Sequence, residues 1–371
     1  MILQNDFKRQ WVVVEDAAVA AVRRVGASGW YILGQEVEAF QSALAAFWGM
    51  RSALGVGNGM DALEIGLRCL NLQRGEKVLT TPLSAFATTL AIVRAGGVPV
   101  FVDVDEMGRI DLRQCADILR KDRSIRFLVP VHLFGLPLDM PELADLKREF
   151  DLRIVEDCAQ AIGASDHGIR VGTVGQIAAT SFYPTKNLGA LGDGGALLTN
   201  DPALAQKAAS LRNYGQTALY VHSEMGLNSR LDELHAAILR DAFLPNLQGW
   251  TEARCRIARR YQDSLNHPLI HLLRPGAEAS AVWHLFPVMI ADEMRDNFRD
   301  YLRSRGIQTG VHYPHIIPDQ AALSVNGSHQ SPANLKNARR FATCELSLPV
   351  HPFLTEQEVV AVVEAFNEWK P

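Results

Sequence analysis

Thr180-Ser-Phe-Tyr-Pro-Thr-Lys-Asn-Leu-Gly-Ala-Leu-Gly-Asp-Gly-Gly195 sets a lysine on a turn between two apolar runs, residues 176–182 before it and 196–198 after it. Both runs read as strands. Pro184 stops the first, because proline donates nothing to a sheet ladder. Gly192, Gly194 and Gly195 give a backbone that bends cheaply and that a ligand can approach. Lys186 therefore points into a site beside the Ser181 hydroxyl, whereas a solvating lysine usually sits on an exposed helix face.

Upstream, Leu152-Arg-Ile-Val-Glu-Asp157 reads as a buried strand ending in two acids, followed by Cys158-Ala-Gln160. In an open α/β sheet, ligands sit outside the carboxyl ends of the strands. Further back, a short strand runs through Gly55, Gly57 and Gly59 into a helix. Free N–H groups at such a start bind phosphate, helped by roughly half a positive charge from the helix dipole. Half a charge does not neutralise a phosphate dianion, and residues 55–60 hold no lysine or arginine, so other groups must help; Ser181 is one candidate. The dinucleotide fingerprint fails, because Met60 stands at its third glycine and no acid ends the next strand; no Gly-Lys-Ser/Thr marks a P-loop. A lysine amine, a carboxylate and a phosphate turn are what pyridoxal phosphate requires.

Around this centre, strand and helix alternate. Residues 12–25 and 35–48 read as amphipathic helices, separated by a loop carrying Trp30 and Tyr31. Strands at 78–81, 98–102, 127–131 and 152–156 alternate with helices at 83–95, 112–120 and 140–150, the pattern of a mostly parallel sheet with crossover helices. Phe86, just past the 78–81 strand, either stacks on a planar ring or fills core. A helix at 202–211 leads to an irregular loop with Tyr214, Tyr220 and His222. Ser229 reads as a helix N-cap, with Asp232 three residues on. That helix runs to Leu244, another covers 247–265, and Pro245 marks the boundary between a large domain (1–245) and a small α+β domain (246–371). The second domain reads as strands at 269–273 and 283–290 and helices at 293–305, 334–343 and 355–369. His312 and His315 flank Pro314, which breaks helical geometry, so this loop reads as a substrate contact and no metal site is expected.

The chain's 371 residues suffice for two lobes, and a chain of this size buries about three quarters of its unfolded surface without disulfides. Five scattered cysteines, without Cys-x-x-Cys spacing, indicate reduced thiols in a cytoplasm. A net charge of −4 gives no footprint for nucleic acid or an anionic membrane. No apolar run approaches the ~20 residues of a membrane span, and the first residues do not form a signal peptide.

The order of Gly57-Asn-Gly-Met-Asp-Ala-Leu, Pro99-Val-Phe-Val-Asp103, Pro130-Val-His132-Leu, Glu156-Asp-Cys-Ala-Gln160-Ala, Ser181-Phe-Tyr-Pro-Thr-Lys186-Asn-Leu-Gly, Gly192-Asp-Gly-Gly-Ala and Asn228-Ser-Arg-Leu-Asp-Glu resembles the DegT/StrS-type family of pyridoxal-phosphate-dependent nucleotide-sugar aminotransferases, over nearly the whole chain. The resemblance implies transferase fold type I, an α/β fold with a large cofactor domain and a smaller C-terminal one, and a homodimer with sites built across the interface. It implies Lys186 as the Schiff-base lysine, Asp157 on the pyridine nitrogen, Gln160 at the ring hydroxyl and Phe86 on the ring face. Gly59, Met60 and Ser181 would hold the phosphate with Asn228 of the partner subunit, and Tyr183, Tyr214, Tyr220, His312 and Tyr313 are candidate substrate contacts. Cys158 in place of a familiar alanine, and Leu136-Pro137 in place of a more polar loop, depart from the pattern.

The implied chemistry moves an amino group from L-glutamate, through pyridoxamine phosphate, to a keto-sugar nucleotide in a ping-pong sequence. Leu211-Arg-Asn-Tyr-Gly and the Tyr220 region point to a 3-keto-6-deoxyhexose on dTDP, with a 4-keto sugar as the alternative. Lys186 argues against the family's dehydratases, which carry histidine there; a non-catalytic cofactor-binding regulator is the rival from another class.

Overall fold

The computed structural model describes residues 1–291, 294–324, 329–331 and 334–370. Seven strands form the central sheet: β1 (Ser52–Val56), β2 (Lys77–Thr80), β3 (Val98–Phe101), β4 (Phe127–Val129), β5 (Arg153–Asp157), β6 (Ile177–Ser181) and β7 (Gly195–Thr199), in the order β1-β7-β6-β5-β4-β2-β3. Strands β2 to β6 pair in parallel, and β7 alone runs against both of its neighbours. Successive side chains of a strand face opposite ways. Val155, Ile177 and Ala179 accordingly pack with the Gly59–Cys69, Phe86–Arg94 and Pro202–Leu211 helices, while Ile154 and Ala178 pack with the Gln35–Trp48 and Met140–Phe150 helices on the other face. Burial on both faces explains why β4 and β7 read as continuous apolar runs.

In the C-terminal part, β8 (Ile270–Leu272), β9 (Phe286–Ile290) and β10 (Glu345–Leu348) form an antiparallel sheet in that order, covered by the Lys336–Cys344 and Glu356–Glu368 helices. Its core is continuous with Leu83, Phe101 and Phe134 of the large sheet's side. Helical turns run from Glu233 to Ser264 with a widened stretch at Leu239–Phe243 and a tight one at Leu244–Asn246, where Pro245 sits. The N-terminus docks on this part as well, through Ile2 N–H to Gly306 O at 2.7 Å.

Several element edges differ from the sequence reading. The first helix is Phe7–Ser28, longer at both ends, because Asp6 caps it through Arg9 N–H and Gly29 closes it at φ 64°. The helix expected at 83–95 begins only at Phe86, since Thr81 Oγ1 takes Leu83 N–H and holds a turn ahead of it. Ser229 is not the N-cap: Asp232 caps Glu233–Ile238 by accepting from His235 N–H at 2.7 Å. Ser229 Oγ instead accepts the N–H of Gly57. Strand β10 was not expected: Glu-Leu-Ser-Leu alternates polar and apolar over four residues only, and its polar residues are as buried as its leucines. The helix expected at 293–305 is Arg295–Ser304, and residues 292 and 293 lie outside the described part. No helix among the described residues is long and apolar enough to cross a membrane.

Candidate active site

Strands β5 and β6 pair Asp157 with Ala179, so Asp157 and Ser181 leave the sheet at the same carboxyl edge. Asp157 is buried. Thr88 Oγ1 donates to its Oδ2 at 2.9 Å and the N–H of Ala159 to its Oδ1 at 3.1 Å, while Ser84 Oγ supports Thr88 at 2.8 Å. Burial pushes this carboxyl above its ordinary range; the two donors and the nearby Lys186 charge oppose it.

Glu156 points the other way. His132 Nε2 lies 2.9 Å from it, and the N–H groups of Gly172 and Gly175 donate to it at 2.6 and 2.5 Å. His132 Nδ1 accepts from Leu138 N–H at 3.2 Å, which leaves the ring proton on Nε2 for Glu156. His132, Glu156 and Cys158 bring potential metal-ligand atoms within 4.8 Å of one another, but these hydrogen bonds engage both histidine nitrogens and the carboxylate. They brace the strand that presents Asp157.

Lys186 is seated on a turn closed by its own N–H to Tyr183 O at 2.8 Å and by Ala190 N–H to Phe182 O at 2.7 Å. Burial holds its amine below the ordinary lysine value, with the Asp157 carboxylate pulling it back up. Asn187 follows: its Nδ2 donates to Val282 O at 3.0 Å, which turns its Oδ1 toward His284 Nδ1 at 3.2 Å.

The glycine turn before the Gly59–Cys69 helix has the form of an anion site. Asn58 Oδ1 caps Asp61 N–H, which leaves the N–H groups of Gly59 and Met60 without a protein acceptor among the described residues. A Cβ on Gly59 would lie 2.7 Å from Ser181 Cβ, and one on Gly195 2.4 Å from the Asn58 backbone. The cradle therefore exists only because both positions are glycine. Arg212 sets a buried guanidinium against Gly55 O at 2.7 Å, a positive charge behind the turn that the sequence reading lacked.

The C-terminal part reaches the end of β5 as well. Gln160 Oε1 accepts from Phe134 N–H at 2.6 Å and its Nε2 donates to the Tyr313 hydroxyl at 3.2 Å. His312 and Tyr313 are therefore brought to the end of β5. Phe86 is partly buried at the first position of the helix that carries Thr88, packed against the core that includes Leu83 and Phe134. Tyr183 stands in the lysine turn itself, its N–H donating to Ser181 Oγ at 3.2 Å while its side chain is 53% exposed. Tyr214 and Tyr220 lie on the later loop, 44% and 85% exposed; Tyr214 stacks on Arg230, and Tyr220 sits at the tip of a short hairpin. Asn228 is exposed too, next to Ser229. The sequence reading missed Ser84, Thr88, His284, Glu345 and Ser347, and gave Ser229 another task.

These residues fit pyridoxal phosphate: two free amides and a hydroxyl for the phosphate, a braced carboxylate for the ring nitrogen and a lysine for the aldehyde. The chain matches the DegT/DnrJ/EryC1/StrS aminotransferase family over residues 13–367. It is 40% identical over 369 residues to the dTDP-3-amino-3,4,6-trideoxy-alpha-D-glucose transaminase of Streptomyces venezuelae, covering 98% of this chain and 95% of the relative. The crystal structure of S. venezuelae DesV in complex with a ketimine intermediate superposes with a TM-score of 0.93 at 40% identity, covering 98% and 97% of the two chains. NtdA from Bacillus subtilis with bound cofactor PMP superposes at 0.87 with 28% identity, covering 95% and 80%. A family match over nearly the whole length, on one shared fold, places this chain in the DegT/DnrJ/EryC1/StrS family of pyridoxal-phosphate-dependent aminotransferases.

Proposed function

We propose that the chain moves an amino group from L-glutamate to the 3-ketone of a dTDP-linked 6-deoxyhexose. The observation that carries the reading is Lys186 within electrostatic reach of the buried Asp157, beside a glycine-built phosphate cradle; similarity to a dTDP-3-amino-sugar transaminase supports the choice of sugar. When bound, the cofactor supplies an electron sink for the carbon that exchanges its amine. The chain's own residues do the rest. The amides of Gly59 and Met60 with Ser181 hold the phosphate. Asp157, whose charged form is favoured by the donors Thr88 and Ala159, would hold the proton on the ring nitrogen. Gln160 reaches the ring hydroxyl and Phe86 covers the ring face.

Lys186 would hold the cofactor through its aldehyde and is the group placed to move the proton. A free lysine titrates at about 10.4, so very little is neutral near pH 7. Burial lowers that value here and enlarges the neutral fraction that can act as base. His312 and Tyr313 contact the substrate from the small lobe, which we place at residues 246–371.

Tyr183, Tyr214, Tyr220 and Asn228 take part through a second copy. Trp30, Tyr31, Ile32 and Leu191 are exposed on segments that converge near His235, and such an apolar surface is the usual mark of an interface. A homodimer that covers it would bring Asn228 of the partner subunit to the phosphate. Cysteines that form no disulfide among the described residues support a place in a reducing cytoplasm. The test is a panel of 3-keto and 4-keto dTDP-sugars with glutamate and product identification. Amination at C3 supports the reading; turnover of the 4-keto sugars alone overturns it.

A further inference from the structure

Strand β10 begins with a carboxylate in the protein interior. Glu345 is fully buried, its Oε2 accepts the backbone N–H of His312 at 2.5 Å, and its Oε1 accepts the Ser347 hydroxyl at 2.5 Å. Ser347 Oγ also lies 2.9 Å from His312 Nδ1. A serine hydroxyl has one proton to give. If it goes to Glu345, then Ser347 accepts from His312 Nδ1–H and Nε2 is left as a lone pair. If Glu345 carries a proton of its own, the order reverses: Glu345 donates to Ser347, Ser347 donates to Nδ1, and the ring hydrogen sits on Nε2.

Nδ1 is used inside the wall, so Nε2 is what the ring offers to the cleft. His312 is partly exposed, and the next residue, Tyr313, has its hydroxyl on Gln160 at the end of β5. We propose that Glu345 and Ser347 are positioning residues that couple one proton to the tautomer of His312, so that Nε2 accepts from, or donates to, an oxygen of the keto substrate. The inference rests on the proposed amination of a ketone, whose oxygen must collect protons to leave as water.

The proton balance closes. A proton taken from substrate at Nε2 sends the Nδ1 proton to Ser347 and the serine's own proton to Glu345. The imidazole ends neutral with hydrogen on Nε2, the carboxylate becomes a carboxyl, and the site has gained one proton. The reverse passage delivers a proton to the substrate oxygen. Burial pushes Glu345 up to about 8 and His312 down to about 4, so an added proton rests on the carboxyl and leaves the ring uncharged. The other charges in range are Arg295 toward Glu345, Lys186 and His284 toward His312, and Asp157 toward Tyr313.

The test is the nitrogen NMR spectrum of histidine-labelled holoenzyme, with the His312 signals among the eleven histidines assigned from His312→Asn. In the wild type the ring should carry hydrogen on Nδ1 on the alkaline side of about 8 and on Nε2 on the acid side. In Glu345→Gln the new amide must turn its oxygen to His312 N–H and its NH2 to Ser347, which fixes hydrogen on Nε2 at every pH. Ser347→Ala should abolish the switch, which keeps the test open if Glu345→Gln misfolds. A wild-type tautomer that does not change across this range overturns the relay even if the sugar is aminated. A tautomer that switches in an enzyme that aminates no keto sugar overturns the functional reading instead.

Discussion

Thr88→Val isolates the brace on Asp157. Valine fills nearly the same space in the buried site, so packing is kept while one donor is lost. Asp157 would retain only the Ala159 amide, and the Ser84 hydroxyl would lose its partner. A hydrogen bond to a charged group is worth about 1.5–3 kcal/mol. Since each ~1.4 kcal/mol is a factor of ten, cofactor affinity should fall by about 10- to 150-fold if binding depends on ionised Asp157. The same loss raises the Asp157 pKa further, which adds to the upward push of burial. The assay is titration of apoenzyme with pyridoxal phosphate, followed by the visible absorption of the lysine-bound cofactor. Thr88→Ser keeps the hydroxyl and should bind within a fewfold of wild type. Thr88→Val binding as tightly as wild type would refute the reasoning, and equal losses in both variants would assign the effect to packing.

Gly59→Ala puts a Cβ 2.7 Å from that of Ser181 and spoils the cradle, so the preference for pyridoxal phosphate over unphosphorylated pyridoxal should shrink in competition binding. Glu156→Ala leaves His132, the buried Gly172 amide and the half-buried Gly175 amide without their acceptor and should cost about 3–5 kcal/mol of stability in urea unfolding. Arg9 binds Glu358 with both nitrogens, at 2.7 and 2.8 Å, and holds its pKa at about 2 against an ordinary 4.5. A depressed carboxyl pKa stabilises the fold above the ordinary value and loses that effect as pH falls toward the depressed one. Wild type should therefore exceed Arg9→Met by no more than about 1 kcal/mol near neutral pH, since Arg9 is 44% exposed, and the gap should close as pH falls from 4.5 to about 2.

The fold was legible because its signals are local. Pro184 and the glycines mark the lysine turn, and the apolar runs mark strands covered on both faces. The site was legible where one residue type has few uses, as for Lys186 after a strand or Asp157 at a strand end. It was not legible where a side chain serves a distant partner. Glu345 binds a residue 33 positions away from a four-residue strand whose polar/apolar alternation would put it in solvent, and nothing local distinguishes it from a surface acid. Ser229 and Asp232 both satisfy capping spacing, and only the position of Gly57 decides which one caps. Thr88 lies within a helix expected from its periodicity, which says nothing about the Asp157 carboxylate 69 residues on.

The most direct measurement is the UV–visible spectrum of the purified protein with pyridoxal phosphate, before and after L-glutamate. The account predicts a yellow protein whose visible band gives way to the absorption of pyridoxamine phosphate, and no such band in Lys186→Ala. A protein that stays colourless with the cofactor, or a Lys186→Ala variant that behaves as wild type, would contradict it.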